Sequence, residues 1–329
     1  MKKILIGFTL PDEVADRYKD EFILDYPPAG TAFAPDELTE KLVGAEGYLG
    51  GLLNREMIDV AVKLEIASSF GAGYDGIDHE YAGEKGVWVM NIPHATTEPT
   101  AELAITLILC LSRRILNFNS FMKKRGAAGG ISLFVEPFDS APAPTVVHGK
   151  TLGVVGFGRI GKAVARRAEG LGLNVIYYDV VRAPADAEKE LKAKYVAFDE
   201  LLKIADYVTL HCLYTPENHH MMDAPQFKMM KPEAYFINAA RGKLMNEQAL
   251  VDALKAKEIL GAAIDVFEFE PKVSNELLEM ENVLITPHMG TSTYETRVAM
   301  ATEAMEGIAA QLRGGESPTI VNREFYKAR

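Results

Sequence analysis

Three glycines with the spacing Gly-x-Gly-x-x-Gly, at positions 156, 158 and 161, constrain the fold of this chain more than any other feature. They follow an apolar run at 151–155 and open a stretch with the pattern of a helix at 159–171. In such a strand–turn–helix unit the first glycine permits the tight turn, the second lets a pyrophosphate approach the backbone, and the third lets the helix pack closely on the sheet. The pyrophosphate charge then meets the helix N-terminus. The motif predicts a dinucleotide-binding unit.

The next predicted strand ends in Asp179, 18 residues after the third glycine. A carboxylate at this position accepts hydrogen bonds from both hydroxyls of an adenosine ribose and repels a 2′-phosphate, so the sequence favours NAD over NADP. Arg182 is the one nearby feature that softens this preference, and we expect it to stack near the adenine or to face solvent. The alternatives are a glycine turn needed only for packing and a methyltransferase with a similar loop; the strand, helix and acid together favour the dinucleotide.

Short, continuous apolar runs alternate with helical stretches along the whole chain, which indicates parallel sheets covered on both faces. In the first part we predict strands at 3–8, 47–53, 65–70 and 87–92, and helices at 12–19, 35–43, 56–62 and 78–85. After one long helix that ends near Lys124, strands are predicted at 151–157, 174–179, 207–212, 235–240, 262–267 and 283–286. The helices of this part are at 159–171, 199–204, 224–230, 246–256 and 293–312. The predicted fold class is α/β, with two Rossmann-like halves.

A segment rich in Gly, Ala and Pro, 126–144, is predicted to be a surface loop. The long helix before it is too apolar for a solvated linker, so we expect it between domains or in a subunit interface.

The composition excludes several classes of protein. With 329 residues the chain suits two domains, and with 48% hydrophobic and 25% charged residues it has the profile of a globular protein. Its net charge of −11 makes a role with nucleic acid or an anionic membrane unexpected, because phosphate binding needs a basic field. Two cysteines, Cys110 and Cys212, are too few for a disulfide framework, and the apolar run after Met1 is too short for a signal peptide. We therefore expect a cytoplasmic protein with reduced thiols.

Three polar residues directly follow predicted strands of the second half: Arg241, Glu270 and His288. In open parallel sheets ligands bind beyond the carboxyl ends of the strands, so these residues can converge although they are far apart in sequence. Reduction of a 2-keto acid needs a planar cation to hold the carboxylate and polarise the ketone, which suits Arg241. It also needs an acid that protonates the developing alkoxide, which suits His288, and a carboxylate that fixes the histidine tautomer, which suits Glu270.

Each member of this trio also has a purely structural interpretation. A strand-end arginine often forms only a salt bridge, and a single histidine before a glycine is more often a hydrogen-bonded structural residue. Glu270, before Pro271, could be a plain loop acid, and Glu268 competes with it for the catalytic role. The joint pattern on a dinucleotide-binding fold favours the catalytic interpretation. His219 and His220 are expected on an exposed loop, and we predict no metal site.

At these residues the chain resembles the D-isomer-specific 2-hydroxyacid dehydrogenase family. The matching segments are Gly156 to Gly161 with Asp179, Asn238-Ala239-Ala240-Arg241-Gly242, Asp265-Val266-Phe267-Glu268-Phe269-Glu270-Pro271, and Thr286-Pro287-His288 with Gly290. Upstream, the glycine loop at 71–78, the run Asn91-Ile92-Pro93, and Thr97-Glu98 with Ala101-Glu102 match as well. The resemblance covers nearly the whole chain and is specific to the family, not to one substrate.

The resemblance implies an NAD-binding domain at 99–290, inserted into a substrate-binding domain made of 1–98 and 291–329, and a homodimer. It implies NAD as cofactor, bound by Thr97, Gly156, Gly158, Arg159, Ile160, Gly161, Asp179, His211, Cys212, Leu213, Thr215, Asn218, Ala239, Ala240, Asp265, His288 and Gly290. The substrate would contact Leu49, Gly50, Phe70, Gly71, Ala72, Gly73 and Arg241. The implied reaction is reduction of a small 2-keto acid to the D-2-hydroxy acid, and its reverse.

Two other functions stay open on the sequence. A regulatory protein that senses NAD(H) can keep the same trio; the sequence ends soon after its last predicted helix, without an evident docking tail, so we expect an enzyme instead. Formate oxidation needs a different neighbour of the catalytic histidine than Met289. The identity of the 2-keto acid is not specified by these motifs.

Overall fold

The computed structural model describes residues 1–125 and 143–328. The chain divides into two compact units, one made of Met1–Pro99 with Thr291–Arg329 and one made of Thr100–Gly290. We call them unit 1 and unit 2. The segment 126–142, on which nearly all of the predicted 126–144 loop falls, lies outside the described residues.

Unit 1 contains a parallel sheet of five strands in the order β2-β1-β3-β4-β5. The strands are β1 (Lys3–Ile6), β2 (Ile23–Asp25), β3 (Gly47–Leu49), β4 (Ile66–Ser68) and β5 (Trp88–Met90). The helices are α1 (Asp12–Tyr18), α2 (Pro35–Leu42), α3 (Arg55–Val60), α4 (His79–Glu84) and, after unit 2, α13 (Tyr294–Leu312). Ile4 and Ile6 point to a core shared with α1 and α13, whereas Leu5 points to a core shared with α2, α3 and α4. This alternation explains the continuous apolar runs, because successive side chains of a doubly covered strand are all buried.

Unit 2 contains a parallel sheet of seven strands in the order β12-β11-β10-β9-β6-β7-β8. The strands are β6 (Thr151–Val155), β7 (Asn174–Tyr178), β8 (Ala193–Tyr195), β9 (Tyr207–Leu210), β10 (Tyr235–Asn238), β11 (Gly261–Ile264) and β12 (Val283–Ile285). The helices after α5 (Thr97–Arg113) and α6 (Ile115–Arg125) are α7 (Arg159–Gly170), α8 (Ala185–Glu190), α9 (Phe198–Ile204), α10 (Ala224–Met229), α11 (Glu247–Lys255) and α12 (Asn275–Glu279). One face of the sheet packs on α5 and α7, and the other on α9, α10, α11 and α12.

The predicted α/β fold with parallel sheets is confirmed, but the pattern missed two strands and two helices. Strands β2 and β8 lie at the edges of their sheets, where Ile23 and Lys194 are exposed, so neither strand produces a continuous apolar run. The short helices α8 and α12 begin with polar residues, as surface turns of helix do. The strands that were predicted end one to four residues earlier than their apolar runs do, at the points where the loops of the sites begin.

The single long helix predicted to end near Lys124 is wrong. The helix is interrupted at Arg114, whose φ of 50° lies in the left-handed region. Helix α5 therefore ends at Arg113, and α6 begins at Ile115. Helix α5 buries Ala104, Leu107 and Ile108 in the core of unit 2, but the apolar side chains of α6 do not continue on that face. Ile115, Leu116, Phe121 and Met122 of α6 are each 40% exposed or more. No helix in the described parts of the chain has the length and apolar character needed to span a bilayer.

Candidate active site

The functional residues of unit 2 follow six strands at one edge of the sheet. Strands β6, β7, β9, β10, β11 and β12 are paired in parallel, so their carboxyl ends lie along the same edge. The segments that leave this edge begin with Gly156, Asp179, His211, Ala239, Asp265 and Thr286. The sheet therefore brings the predicted cofactor and catalytic residues of unit 2 to one side.

The glycine turn after β6 has the geometry that its spacing predicts. Gly156 has a φ of 91°, and a Cβ on it would lie 2.3 Å from the backbone nitrogen of Cys212. A Cβ on Gly161 would lie 2.1 Å from the carbonyl oxygen of Gly156. Gly158, in contrast, would place a Cβ in open space, and it precedes helix α7 without a side-chain cap. The first N–H groups of α7, next to the exposed Gly158 and Arg159, can therefore receive an anion.

Asp179 lies beside this turn and is part of its structure. Its carboxylate accepts hydrogen bonds from the N–H of Phe157 at 2.6 Å and of Val181 at 3.2 Å. Arg182 forms a two-pronged ion pair with Glu188, at 2.8 and 2.9 Å. Arg182 is exposed, as one of its two predicted positions requires, but its guanidinium is held by this pair. Together with the hydroxyl of Tyr177, Arg182 lowers the pKa of Glu188 to about 2.

The segment after β9 carries five of the predicted cofactor residues, which play different parts. Leu213 and Thr215 are exposed, while Asn218 accepts from the N–H of Thr215 at 2.8 Å and donates to the carbonyl of Leu213 at 2.7 Å, so its amide shapes the loop. Cys212 lies against Met221, and burial raises the pKa of its thiol to about 12.

His211, predicted to line the cofactor cleft, has one ring nitrogen that is enclosed by the protein. Its Nε2 lies 2.9 Å from the hydroxyl of Thr209, and its Nδ1 is inaccessible to solvent without a hydrogen-bond partner. Burial lowers the pKa of this imidazole to about 3. Nδ1 therefore lies within the protein, although His211 as a whole is half-buried.

His288 and Glu270 form the central contact of the site. His288 Nδ1 lies 3.0 Å from Oε2 of Glu270, and the other carboxylate oxygen accepts the N–H of Phe267 at 2.9 Å. Partial burial raises the pKa of Glu270, but His288, the Phe267 amide and the charge of Arg241 together bring it below its ordinary value. The side chain of His288 is 51% exposed. The imidazole is thus held at Nδ1 by a carboxylate while part of the ring stays open.

The competing acid, Glu268, has a different partner. Its Oε1 lies 2.6 Å from Nε2 of His220, and its Oε2 accepts the N–H of Glu247 at 3.0 Å. The prediction that both His219 and His220 are exposed is wrong for His220, whose side chain is 27% exposed because Glu268 draws it inward. His219 is exposed.

Arg241 follows β10 on a turn that Asn238 holds. The side-chain amide of Asn238, which is fully buried, donates to the carbonyl of Arg241 at 2.9 Å and accepts the N–H of Ala240 at 3.1 Å. Arg241 itself donates from Nη1 to the carbonyl of Ala240 at 2.8 Å. Ala239, beside them, is 9% exposed. The turn places the guanidinium close enough to Glu270 for its charge to lower the pKa of that carboxyl.

Asp265 anchors the turn that carries His288. Its Oδ1 accepts the hydroxyl of Thr286 at 2.6 Å and the N–H of Met289 at 2.8 Å, and its Oδ2 accepts the N–H of Gly290 at 3.1 Å. The φ of His288 is 52°, a left-handed conformation that costs free energy unless its surroundings fix it. Asp265 is 1% exposed, so its side chain positions His288 and Gly290.

Apart from Arg241, which lies in unit 2, the predicted substrate residues belong to unit 1, as does Thr97. The side chain of Leu49 is buried in the core, which leaves only its backbone for a ligand. A Cβ on Gly50 would lie 2.1 Å from the hydroxyl oxygen of Tyr48. Phe70 packs on Phe8 with ring centroids 4.0 Å apart. Thr97 donates its hydroxyl to the carbonyl of Pro93 at 2.8 Å.

The loop at 71–73 is fixed through its carbonyl oxygens. Gly71 accepts from the N–H of Ile92 at 2.9 Å, Ala72 from the side chain of Asn91 at 2.7 Å, and Gly73 from the hydroxyl of Ser69 at 2.7 Å. In a trans peptide the N–H points opposite to the carbonyl oxygen. The N–H groups that follow these carbonyls therefore point away from the anchors, as in a loop that receives an anion.

Asn238 and Glu247 are residues of this region that the sequence-based site prediction did not include. Glu247 is 5% exposed and accepts the N–H groups of Glu268 and Ser274 at 3.1 and 3.0 Å. Both residues fix the loops on which Arg241 and Glu270 lie. Polar residues at the end of a buried strand and at the start of a helix were the available indication, but such residues are also common as plain caps.

Comparison with known proteins gives a consistent result. Residues 105–290 match the family described as D-isomer specific 2-hydroxyacid dehydrogenase, NAD binding domain. A protein of Staphylococcus saprophyticus, named provisionally as a 2-hydroxyacid dehydrogenase, is 39% identical over 326 residues, which cover 98% of this chain and all of that protein.

Solved structures agree with this match along nearly the full length of the chain. A Thermus thermophilus protein has a TM-score of 0.87 and 33% identity, with 97% of this chain and 99% of that chain covered. An NADPH-dependent glyoxylate/hydroxypyruvate reductase of Sinorhizobium meliloti has a TM-score of 0.84 and 28% identity, with 100% and 99% covered.

Proposed function

This chain belongs to the D-isomer-specific 2-hydroxyacid dehydrogenase family, and from that premise we propose that it reduces a small 2-keto acid to the D-2-hydroxy acid with NADH, and catalyses the reverse reaction. As a member of the family it is an oxidoreductase with an NAD-binding domain. The observation that carries the finer proposal is the 3.0 Å contact between His288 and Glu270, in the unit that also holds the glycine turn.

The residues around the glycine turn fit a dinucleotide. The open space over Gly158 and the start of α7 would receive the pyrophosphate, whereas Gly156 and Gly161 are too close to backbone atoms to carry any side chain. Asp179 offers a carboxylate to the ribose hydroxyls beside the turn. When bound, the nicotinamide ring supplies or accepts the hydride of the reaction.

Arg241 is the proposed substrate clamp. Its guanidinium can bind a substrate carboxylate with two hydrogen bonds and polarise the neighbouring ketone oxygen. Asn238 holds the turn on which it lies, so the cation is presented from a fixed backbone. In unit 1, the N–H groups of the 71–73 loop are proposed to bind the carboxylate of the substrate, with Phe70 and Gly50 shaping the pocket wall.

His288 is the proposed acid in reduction and the base in oxidation. During reduction its ring gives a proton to the oxygen that becomes the hydroxyl, and in the reverse direction it takes that proton back. Glu270 is ionised because its pKa lies below its ordinary value, and its carboxylate accepts a hydrogen bond from Nδ1 of His288. Nε2 of His288 is therefore left for the proton transfer. The left-handed turn fixed by Asp265 aims the ring.

Two further parts of the proposal concern the cofactor and the assembly. We propose NAD rather than NADP, because Asp179 repels a 2′-phosphate and Arg182, the nearby cation, is held by Glu188. We propose a homodimer, because α6 exposes the apolar side chains of Ile115 and Leu116 in a way that a subunit contact would cover.

The first test is turnover, followed as the loss of NADH absorbance with glyoxylate, hydroxypyruvate, pyruvate, 2-ketoisocaproate, phenylpyruvate and 2-oxoglutarate. Turnover of one of these acids supports the proposal and identifies the pocket. NADH binding without turnover of any of them would instead support a cofactor-sensing protein.

The second test is His288→Ala. We expect kcat to fall at least about a hundredfold, because no other group replaces the proton donor, with NADH affinity nearly unchanged. His148→Ala is the matched control, because that exposed histidine lies just before β6, at the opposite edge of the sheet. Equal activity of the His288 variant would remove His288 from the mechanism.

A further inference from the structure

A cluster of side chains of the types that ligate metals lies outside the proposed catalytic trio. His219, His220 and Glu268 each offer one ligand atom, and these atoms lie within 4.8 Å of one another. All three residues belong to unit 2, the histidines on the loop between β9 and α10 and the glutamate between β11 and α12. Among residues 1–125 and 143–328 this is the group of three such residues close enough to share an ion.

His220 and Glu268 form the fixed half of the cluster. Nε2 of His220 faces Oε1 of Glu268, whose second oxygen is held by the N–H of Glu247. The φ of His220 is 53°, and its N–H donates to the carbonyl of Lys243 at 3.0 Å. A histidine held in a left-handed conformation is strained unless the surrounding contacts fix it, so the backbone here is built to turn this ring toward the glutamate.

His219 forms the adjustable half of the cluster. Its ring stacks on that of His220 with centroids 3.7 Å apart, and its Nδ1 lies 3.4 Å from the hydroxyl of Tyr214. Because His219 is exposed, its ring can rotate about its side-chain bonds without repacking the core. A tyrosine hydroxyl at one ring nitrogen is the kind of outer contact that orients a metal-bound histidine.

The donor set selects one class of cation. Two imidazoles and one carboxylate match the ligands of zinc and its neighbours, whereas Ca²⁺ and Mg²⁺ prefer oxygen ligands only. A tetrahedral ion with bonds of about 2.1 Å needs ligand atoms about 3.4 Å apart. A small outward shift of the His220–Glu268 pair from 2.6 Å and an inward rotation of His219 supply this spacing.

The charge of the surroundings also favours a cation. Glu268 and Glu247 are both at most 10% exposed, and each accepts the backbone N–H of the other. Two carboxylates in so small a volume repel each other, and a divalent ion beside Glu268 offsets that repulsion. The side chain that pairs with Glu268 in the structure is the imidazole of His220.

We propose that His219, His220 and Glu268 form a binding site for a divalent transition-metal ion of the zinc class. The ion takes three protein ligands and keeps a position for water. It ties the loop after β9 to the segment 267–270, on which Glu270 lies two residues from Glu268. Because these two loops carry proposed cofactor and catalytic residues, the bound ion stabilises both against local opening.

The test is metal binding to the full chain, prepared without a histidine tag, stripped with EDTA and freed of chelator by gel filtration. Zn²⁺ binding is measured by calorimetry, and Co²⁺ is used as a visible-absorbing substitute. We expect about one ion per chain and Co²⁺ bands typical of a low-coordinate site with nitrogen and oxygen ligands. A strong near-ultraviolet thiolate band would place the ion on a cysteine and overturn the proposal.

Three variants locate the ion. His219→Ala removes an exposed ligand, His220→Asn keeps a residue that tolerates the left-handed backbone, and Glu268→Gln keeps a hydrogen-bond acceptor for the N–H of Glu247. Each variant should weaken Zn²⁺ binding at least about tenfold. Circular dichroism and thermal unfolding of the metal-free proteins verify that each variant folds, and the exposed His219 makes that variant decisive if another does not.

Two further variants serve as controls. His148→Ala removes an exposed histidine outside the cluster, and His288→Ala removes the histidine of the catalytic pair; both should bind Zn²⁺ as the unmodified protein does. Loss of binding in His288→Ala, undiminished binding in His219→Ala, or the absence of Zn²⁺ binding by the unmodified protein would each overturn the proposal.

Discussion

Nδ1 of His288 lies 3.0 Å from Oε2 of Glu270, and the second oxygen of that carboxylate is held by the N–H of Phe267. The carboxylate therefore cannot turn away from the histidine without losing a backbone hydrogen bond. Its pKa, lowered by His288, the Phe267 amide and Arg241 against the effect of burial, keeps it charged at neutral pH. A charged and immobile acceptor at Nδ1 keeps a proton on that nitrogen. It thereby defines the tautomer of the imidazole ring.

Glu270→Gln tests this relationship. The substitution keeps the size of the side chain but removes its charge, so the imidazolium that forms during oxidation loses its stabilising partner. We expect kcat to fall about ten- to a hundredfold, with NADH affinity preserved. Steady-state kinetics with the best keto acid measure the effect. Glu276→Gln, which breaks an exposed pair with Lys255, is the control, and equal kcat in both variants would contradict the role of Glu270.

The proposed preference for NAD over NADP rests on Asp179 and on the pair of Arg182 with Glu188. We expect the unmodified enzyme to use NADH better than NADPH, and Asp179→Ala to reduce this preference because the repelling carboxylate is gone. Adding Glu188→Gln to Asp179→Ala should reduce it further, because the guanidinium of Arg182 is then free to meet the 2′-phosphate. The measurement is the ratio of kcat/KM for the two coenzymes.

Glu188→Gln alone provides the control for that experiment. With Asp179 still in place, the freed arginine faces a carboxylate on the same turn, and the preference should change little. A preference that is unchanged in Asp179→Ala would mean that another residue reads the ribose.

The three glycines of the turn can be separated by one substitution each. A Cβ on Gly161 would lie 2.1 Å from the carbonyl oxygen of Gly156, so Gly161→Ala should unfold at lower temperature or fail to fold. A Cβ on Gly158 meets open space, so Gly158→Ala should keep its stability and lose affinity for NADH at least about tenfold, because the methyl occupies the place of the pyrophosphate. Thermal unfolding and NADH fluorescence titration measure the two effects. Normal NADH affinity in Gly158→Ala would contradict the proposed phosphate position.

The sequence predicted the fold well for strands that are buried on both faces of the sheet. Doubly covered strands such as β1 and β10 have unbroken apolar runs, because both of their faces are buried. The edge strands β2 and β8 lack such runs, and the break at Arg114 depends on a backbone conformation that residue type alone does not reveal. The hydrophobic pattern thus predicted every strand that has an unbroken apolar run, including the edge strands β5 and β12, and missed the two edge strands that lack one.

The candidate site was predictable as a set of residues but not as a set of contacts. Strand ends and spacing pointed to Arg241, Glu270 and His288, and the structure brings His288 and Glu270 together. The sequence favoured Glu270 and left Glu268 as its competitor, and only the structure gives the two acids different histidine partners. The roles of Asn238 and Asp265 as anchors of turns also depend on which backbone groups their side chains reach.

The buried imidazole of His211 makes the stability of the fold depend on pH. Its pKa is about 3 in the folded protein, because of burial, and 6.5 is the ordinary value that applies to the unfolded chain. Between these pH values the unfolded chain binds a proton that the folded chain does not. The contribution of neutral His211 to the free energy of unfolding is therefore complete above about pH 6.5 and is lost as the pH falls toward 3. From pH 7.5 to 5.5 this group alone should lower the free energy of unfolding by roughly 1 kcal/mol.

His211→Gln should remove that part of the pH dependence, because glutamine does not titrate and can still bond to Thr209. The measurement is urea unfolding of both proteins at pH 7.5 and 5.5, and the quantity of interest is the difference between the two pH values for each protein. Cys212→Ser is the matched control for a change at a neighbouring buried position, because the thiol, with a pKa of about 12, does not titrate in this range, and this variant should keep the pH dependence of the unmodified protein. If His211→Gln loses as much stability on acidification as the unmodified protein does, His211 is not the buried neutral imidazole that its surroundings require.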